Sequence, residues 1–256
     1  MDAFHKEGLL GGLYDAGDAF LCIHASMGGV SAEEWAEMLL HTYTGWAERR
    51  NFSTSVIYKD KGDEAGIKSA TIALRGSYAY GLARGETGVH RLVRLSLSSG
   101  ESRREIAFAL VKVLPLVDDV PELEIKSEDI RTETLQIDGQ TAVQMTYREG
   151  TPEQVVVVSQ IEGSVPQSEA TAHRLLRGRL LTRELRGQRE AAAKLRGEAY
   201  QVDADTQIRT YQLHPETLVR DHRTDYTTSD VNDVLDGALD LFMEAYLRWN
   251  VGRDTA

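Results

Sequence analysis

Apolar and polar positions along this chain follow two periods, one near two residues and one near three and a half. Residues 19–25 form a short apolar run closed by Gly28-Gly29, which predicts a buried strand. Trp35, Met38, Leu39, Thr42 and Trp46 then recur at helical spacing and predict a helix to about Arg50. Ahead of it, Ser31-Ala32-Glu33-Glu34 reads as a capping box, with serine at the N-cap and glutamate at N3. Residues 56–58 and 69–75 read as strands around the charged turn 60–64, and 77–84 as a short helix. Residues 90–95 and 106–114 read as two strands with a polar loop, 96–102, between them. Pro115, Asp118-Asp119 and Pro121 mark a break.

Beyond the break the period shortens again. Residues 131–137 and 140–147 flank Asp138-Gly139, a strong two-residue hairpin signal, and 154–160 adds a third strand around the run Val155 to Val158. Pro166-Gln167-Ser168 opens a long helix from Glu169 to about Gly197, with Ala172, Leu175, Leu176 and Leu180 on one face. Three strands and a helix make a small α+β module. Residues 207–213 read as a strand ending near Pro215, 220–230 as a polar loop, and 231–235 and 239–249 as helices split by Asp236-Gly237.

Composition narrows the possibilities. The chain has 256 residues, 41% of them apolar, enough for one large or two modest domains. No apolar run approaches about 18 residues, and Met1 to Leu10 lacks the basic and apolar regions of a signal peptide, so no membrane partner is expected. The single cysteine, Cys22, cannot form an internal disulfide; a cytoplasmic protein with a buried strand cysteine is the expectation. The formal net charge of -11 argues against a general nucleic-acid binder, and DNA is not expected as a partner. Total charge hides local patches, however. The long helix carries Arg174, Arg177, Arg179, Arg183, Arg186, Arg189, Lys194 and Arg196. It reads either as a solvated face or as a surface for an RNA backbone, and the same two readings hold for Arg91, Arg94, Arg103 and Arg104.

The other constellations are bland. His90 beside Glu86, Thr87 and Arg91 suggests acid–base work but reads better as a strand histidine with structural hydrogen bonds. Glu33-Glu34 with His41 lacks a second histidine at helical spacing, so no metal is expected. Asp118-Asp119 reads as a loop, and no P-loop or Rossmann spacing follows Gly28-Gly29. No cofactor is called for.

Several segments resemble bacterial class I peptide chain release factors of the type 2 branch. They are Gly66 to Ile72, Ser77-Tyr78-Ala79-Tyr80-Gly81, the stretch Glu86-Thr87-Gly88-Val89-His90-Arg91-Leu92-Val93-Arg94, Ile208-Arg209-Thr210-Tyr211, Asp221-His222-Arg223-Thr224 and Val234-Leu235-Asp236-Gly237. The resemblance implies an α+β fold in which family domains 2 and 4 pack as one unit, 1–126 plus 198–256, with a domain 3 module inserted at 127–197. It also implies that the family's helical N-terminal domain lies outside this chain.

Departures from the family shape the functional expectation. Where the family reads stop codons with Ser-Pro-Phe, this chain has Ser96-Leu97-Ser98, without a proline or an aromatic ring. Where the family follows Arg-Arg with a stacking histidine and a hydrogen-bonding threonine, Arg103-Arg104 is followed by Glu105 and Ile106. The family's Gly-Gly-Gln, which positions water at the peptidyl-tRNA ester, has only Asp138-Gly139-Gln140 as a counterpart, placed as a hairpin turn. The expectation is a non-catalytic protein, not an enzyme, that binds the ribosome or a structured RNA without reading stop codons. Two alternatives stay open: a divergent release factor in translation termination or ribosome rescue, and a protein-interaction module that does not touch RNA.

Overall fold

The computed structural model describes residues 8–98, 101–118, 120, 123, 125–161, 164–196 and 206–254. In chain order the elements are β1 (Ala19–Ala25), α1 (Val30–Arg49), β2 (Ser53–Lys61), β3 (Ile67–Arg75), α2 (Ala79–Ala83), β4 (Gly88–Ser98) and β5 (Glu101–Pro115). There follow β6 (Ile130–Ile137), β7 (Gln140–Tyr147), β8 (Val155–Ser159) and α3 (Val165–Arg196). The chain closes with β9 (Gln207–Gln212), β10 (Leu218–Asp221), β11 (Thr227–Thr228), α4 (Val231–Leu235) and α5 (Asp240–Asp254). An eight-stranded sheet has the order β11-β10-β9-β4-β5-β1-β3-β2, and a separate sheet has the order β6-β7-β8. The architecture is mixed α+β, as expected. Strand β9 returns from the far side of the inserted module to pair with β4 in parallel; the other pairings are antiparallel.

Alternation along the central strands sends side chains into two cores. On one face Leu21, Ile23, Ile72, Leu92, Val111 and Tyr211 pack under Trp35, Leu39 and Tyr43 of α1 and Phe242 of α5. The Trp35 and Tyr211 rings meet edge to face with centroids 4.8 Å apart. On the other face Phe20, Cys22, Ile57, Ala73 and Leu114 share a core with Ala172, Leu175, Leu176 and Leu180 of α3 and with Val143, Met145 and Val157 of the small sheet. Cys22 is buried here, as a strand cysteine. Helix α3 crosses β5 closely: a Cβ at Gly178 would lie 2.6 Å from the Pro115 carbonyl oxygen.

Four local expectations are corrected. Helix α1 begins at Val30 with Gly29 at the N-cap and no side-chain cap bond, so Ser31 and Glu34 do not form a capping box. Helix α3 begins at Val165 rather than Glu169, because the Ser164 hydroxyl accepts the Gln167 N–H (3.3 Å) and Pro166 is tolerated in a first turn that has no N–H partner to offer. Most of the expected loop 96–102 is strand: β4 and β5 stay paired as far as Ser98 and Glu101. Ser96, Ser98, Ser99, Gly100 and Ser102 dominate that segment, and such a composition reads as a loop. The expected loop 220–230 contains the end of β10 and all of β11. Of the residues marking the break and the helix end, Asp119, Pro121 and Gly197 lie outside the described residues.

The hairpin between β6 and β7 turns on two residues. Asp138 and Gly139 both have positive φ, 50° and 76°, which suits a type I′ turn, and Ile137 pairs with Gln140 across it. Lys61 of β2 reaches Asp138 at 3.2 Å, and the Gln160 N–H donates to the Ile57 carbonyl at 2.6 Å, so the small sheet is tied to the edge of the large one. The shared back core holds the module in place. Leu176→Ala is therefore expected to lower unfolding free energy by about 2–5 kcal/mol, while Val165→Ala, exposed at the helix start, changes it little; urea denaturation of both variants measures the difference.

Candidate functional site

Beneath the β4–β5 hairpin lies a buried charge network. Arg209 points inward from β9 and donates to Glu86 through both terminal nitrogens, at 2.7 and 2.8 Å, and to Asp221 of β10 at 3.1 Å. All three side chains in these pairs are fully buried. Its guanidinium also lies 4.3 Å from the centre of the Phe242 ring. Arg223 closes the outer side, donating to Asp221 at 2.7 Å and to the Gly85 carbonyl at 2.6 Å. Burial alone would raise the Glu86 pKa, but the adjoining Arg209 overcomes it and holds the carboxyl below the usual range. For Asp221 too burial pushes upward, and the bonds from Arg223 with the charge of Arg209 hold it well below.

His90 sits at the inner end of this network. Its ring nitrogens approach the Glu86 carbonyl at 3.0 Å and the Tyr43 and Tyr211 hydroxyls at 3.4 Å. Burial first, and then Arg209, lowers its pKa to about 4, so it is neutral at pH 7. This is the structural histidine expected from the sequence. Burial likewise pushes the Tyr211 hydroxyl up to about 12. Nothing in the hydrophobic pattern points to the pairing of Arg209 with Glu86 and Asp221, because these partners lie 123 and 12 positions away.

The base of the hairpin is held by residues whose spacing suggests a helix cap. The Ser31 hydroxyl donates to Glu105 at 2.7 Å, and Arg94 pairs with both Glu34 and Glu105. Glu105 is thus bound to its own sheet and to α1. Of the residues expected to meet RNA, Arg94 is neutralised here, Arg174 pairs with Asp118 at 2.5 Å, and Arg186 pairs with Glu190 at 2.7 Å. Arg183 donates to the Glu153 carbonyl at 2.8 Å, so a carbonyl and not a carboxylate holds it. Arg103 and Arg104 are exposed, and Arg91 and Arg177 are half-buried. Ile106 is 39% exposed. The side chains of Ser96, Leu97, Ser98, Arg189, Lys194 and Arg196 lie outside the described residues. Arg91, Arg94, Arg103 and Arg104 share one hairpin, whereas Arg174 to Arg186 lie on α3, so the structure forms two basic regions rather than one. Gln140 is exposed at the start of β7, beside the hairpin turn.

The fold and these motif residues define a class, the peptide chain release factors, and the comparisons agree. The model of the PCRF domain matches residues 4–111. The chain is 52% identical to peptide chain release factor 2 of Chloroflexus aggregans over 254 residues, covering 96% of this chain and 68% of that protein. Peptide chain release factor 2 of Thermomicrobium roseum is 45% identical over 259 residues, covering 97% and 68%. That of Thermotoga maritima is 40% identical over 250 residues, covering 94% and 67%. The solved RF2 of Thermus thermophilus superposes with a TM-score of 0.88 at 36% identity, covering 97% of this chain and 72% of that one. The chain belongs to the peptide chain release factor 2 family.

Family membership corrects one expectation. The absence of Ser-Pro-Phe and Gly-Gly-Gln suggested a protein that is not an enzyme. Relatives that match nearly the whole chain at 40 to 52% identity are all named peptide chain release factor 2, which overturns that exclusion. Likeness spread over the whole fold outweighs two short motifs.

The network makes stability depend on pH. Unfolded, His90 takes up a proton near pH 6.5; folded, it does so only near 4, and His24, lowered by burial and then by Arg179 and Lys112, also titrates near 4. Between these values the unfolded chain binds more protons, so stability is full above pH 6.5 and falls as pH drops toward 4. Each histidine contributes on the order of 2 kcal/mol of that loss by pH 4.5. His90→Gln is expected to shrink the decline by on the order of 2 kcal/mol, read from urea midpoints between pH 4.5 and 8. An unchanged decline would show that His90 does not carry it.

Proposed function

We propose that this chain acts as a divergent peptide chain release factor on the ribosome, in translation termination or ribosome rescue, promoting hydrolysis of the peptidyl-tRNA ester. The observation that carries the reading is continuous likeness: 52% identity to a peptide chain release factor 2 across 96% of the chain. On this reading, residues 1–126 and 198–256 form the unit that sits over the codon, and 127–197 is the module that faces the peptide. The protein works in the cytoplasm, where ribosomes are. Arg91, Arg103, Arg104, Arg177 and Arg183 meet ribosomal RNA directly, while Arg94, Arg174 and Arg186 do so only by exchanging a carboxylate for a phosphate.

The rescue branch of this reading draws on the hairpin. Ser96 to Ser98 belong to β4, paired with Glu101 to Arg103, and Glu105 is bound to Arg94 and Ser31. A paired strand offers fewer base-edge contacts than a splayed loop, so selectivity among codons is low. At the other end, water positioning falls to Gln140, the exposed Gly-Gln at the turn of β6 and β7. That turn is short, which makes hydrolysis the step to test first.

The test is release of formyl-methionine from purified ribosomes carrying UAA, UGA, a sense codon or an empty decoding site. The expected result is release in all four cases, with rates within about tenfold, equivalent to roughly 1.4 kcal/mol. Gln140→Ala is expected to slow release by about 100-fold without changing the melting temperature. No release by the unmodified chain would overturn the reading.

A further inference from the structure

The two sheets end in four edge strands, β11, β2, β6 and β8, and three of these are blunted. Strand β2 breaks register between Val56 and Tyr58 and again between Asp60 and Lys61, and it ends on Lys59-Asp60-Lys61. Strand β11 is two residues long. Strand β6 carries Arg131 and Glu133, paired with each other. Charges, irregularities and short lengths of this kind deter a further strand from adding. Strand β8 has none of them. It reads Val155-Val156-Val157-Val158-Ser159 and pairs in unbroken register with β7 on one side only. A run of β-branched residues favours the extended conformation, and here no charge, proline or glycine interrupts it.

Two bonds show which backbone groups face the open side. The Arg179 guanidinium of α3 donates to the Val156 carbonyl, and the Gln160 N–H donates to the Ile57 carbonyl of β2 at 2.6 Å. A strand residue turns its N–H and its C=O to the same side, so Val156 and Val158 turn theirs away from β7. The hairpin register agrees: Ile137 and Gln140 face each other across the turn, so the even residues of β7 bond to β6 and the odd ones to Val155, Val157 and Ser159. Among the described residues, the Val156 N–H and both backbone groups of Val158 have no hydrogen-bond partner. The side chains of Val155 and Val157 pack toward α3, and those of Val156 and Val158, half-buried, lie on the opposite face. The charge beside this edge is positive. Arg183, one turn along α3 from Arg179, donates to the Glu153 carbonyl just before the strand, and neither arginine has a carboxylate partner among the described residues.

We infer that the β8 edge takes up an extended acidic peptide segment of a partner protein as a fourth strand of the small sheet. Val156 and Val158 supply the backbone pairing once Arg179 leaves the Val156 carbonyl for a carboxylate of the incoming strand. That exchange replaces a bond to a neutral acceptor with a charge-assisted one. Alternation sets the sequence the edge prefers: acidic side chains on the side of α3 and Arg179, aliphatic ones on the outer face beside Val156 and Val158. A second copy of this chain fits less well. Two β8 edges paired about a two-fold axis bring the Arg179 and Arg183 charges of both copies together, and β8 itself has no acid to offset them.

The test uses the full chain and two fluorescein-labelled, end-capped peptides, Glu-Val-Glu-Val-Glu-Val and Lys-Val-Lys-Val-Lys-Val, in anisotropy titrations. The acidic peptide is expected to bind about tenfold or more tightly than the basic one, a preference that Arg179→Gln removes. Amide hydrogen exchange at Val156 and Val158 is expected to slow when the acidic peptide is bound. Val158→Pro deletes an outward N–H and no bond to β7, so it is expected to fold and to lose the peptide. If that variant does not fold, the exchange measurement on the unmodified chain decides. No binding of the acidic peptide, equal binding of both peptides, binding that survives in folded Val158→Pro, or unchanged exchange at Val156 and Val158 would each overturn the inference. Self-association in sedimentation that Val158→Pro abolishes would also overturn it, in favour of an interface between copies.

Discussion

One guanidinium carries the geometry of the large sheet. Arg209 is fully buried, and a buried charge is tolerated only when its partners are in place. Those partners come from two other segments: Glu86, in the turn that leads into β4, and Asp221, at the end of β10. Strand β9 can therefore pair with β4 and β10 only in the register that brings two carboxylates to one cation. The same register presses Tyr211 against Trp35 and sets His90 between two tyrosine hydroxyls. From there β4 runs out as the long hairpin with β5, braced at its base by Arg94, Glu34, Glu105 and Ser31. The placement of that hairpin is thus set by an interaction that no solvent reaches.

How much of this is legible in the chain depends on the range of the signal. Helix α1, the Asp138-Gly139 turn, Cys22 in a strand and the arginine-rich helix α3 each rest on residues within a few positions of one another, and the pattern shows them. The buried network is different. Arg209 in an alternating strand looks like an ordinary half-exposed cation, and Asp221 looks like a loop residue, until each meets a partner from another part of the chain. Ser31 and Glu34 show the opposite error: their spacing fits a local cap, but tertiary bonds to Glu105 and Arg94 take both side chains. The outer hairpin escapes the pattern because its serine- and glycine-rich sequence reads as a loop, so backbone pairing alone marks it as strand.

The expectation of a non-catalytic protein failed for a related reason. It rested on three short stretches, around Leu97-Ser98, Glu105-Ile106 and Asp138, read against the family resemblance. Whole-chain likeness places the protein among release factors nonetheless. What the substitutions change is how the two ends are held. On the β4–β5 hairpin an acid, Glu105, is tied down by Arg94. Between β6 and β7 a two-residue turn has its Asp138 paired with Lys61. Both are more tightly fastened to the fold than a mobile loop would be, and both fastenings are ion pairs near the surface, weak enough to be exchanged on docking.

That the buried network sets the fold can be measured directly by a double-mutant cycle on its strongest pair. Glu86→Gln and Arg209→Met, each alone, leave a buried partner without its counter-charge and should cost about 3–5 kcal/mol in urea denaturation. Because both remove the same interaction, the combined variant should cost less than the sum by about 1–3 kcal/mol. Additive losses would mean instead that Glu86 and Arg209 stabilise the sheet independently, and that their pairing does not fix its register.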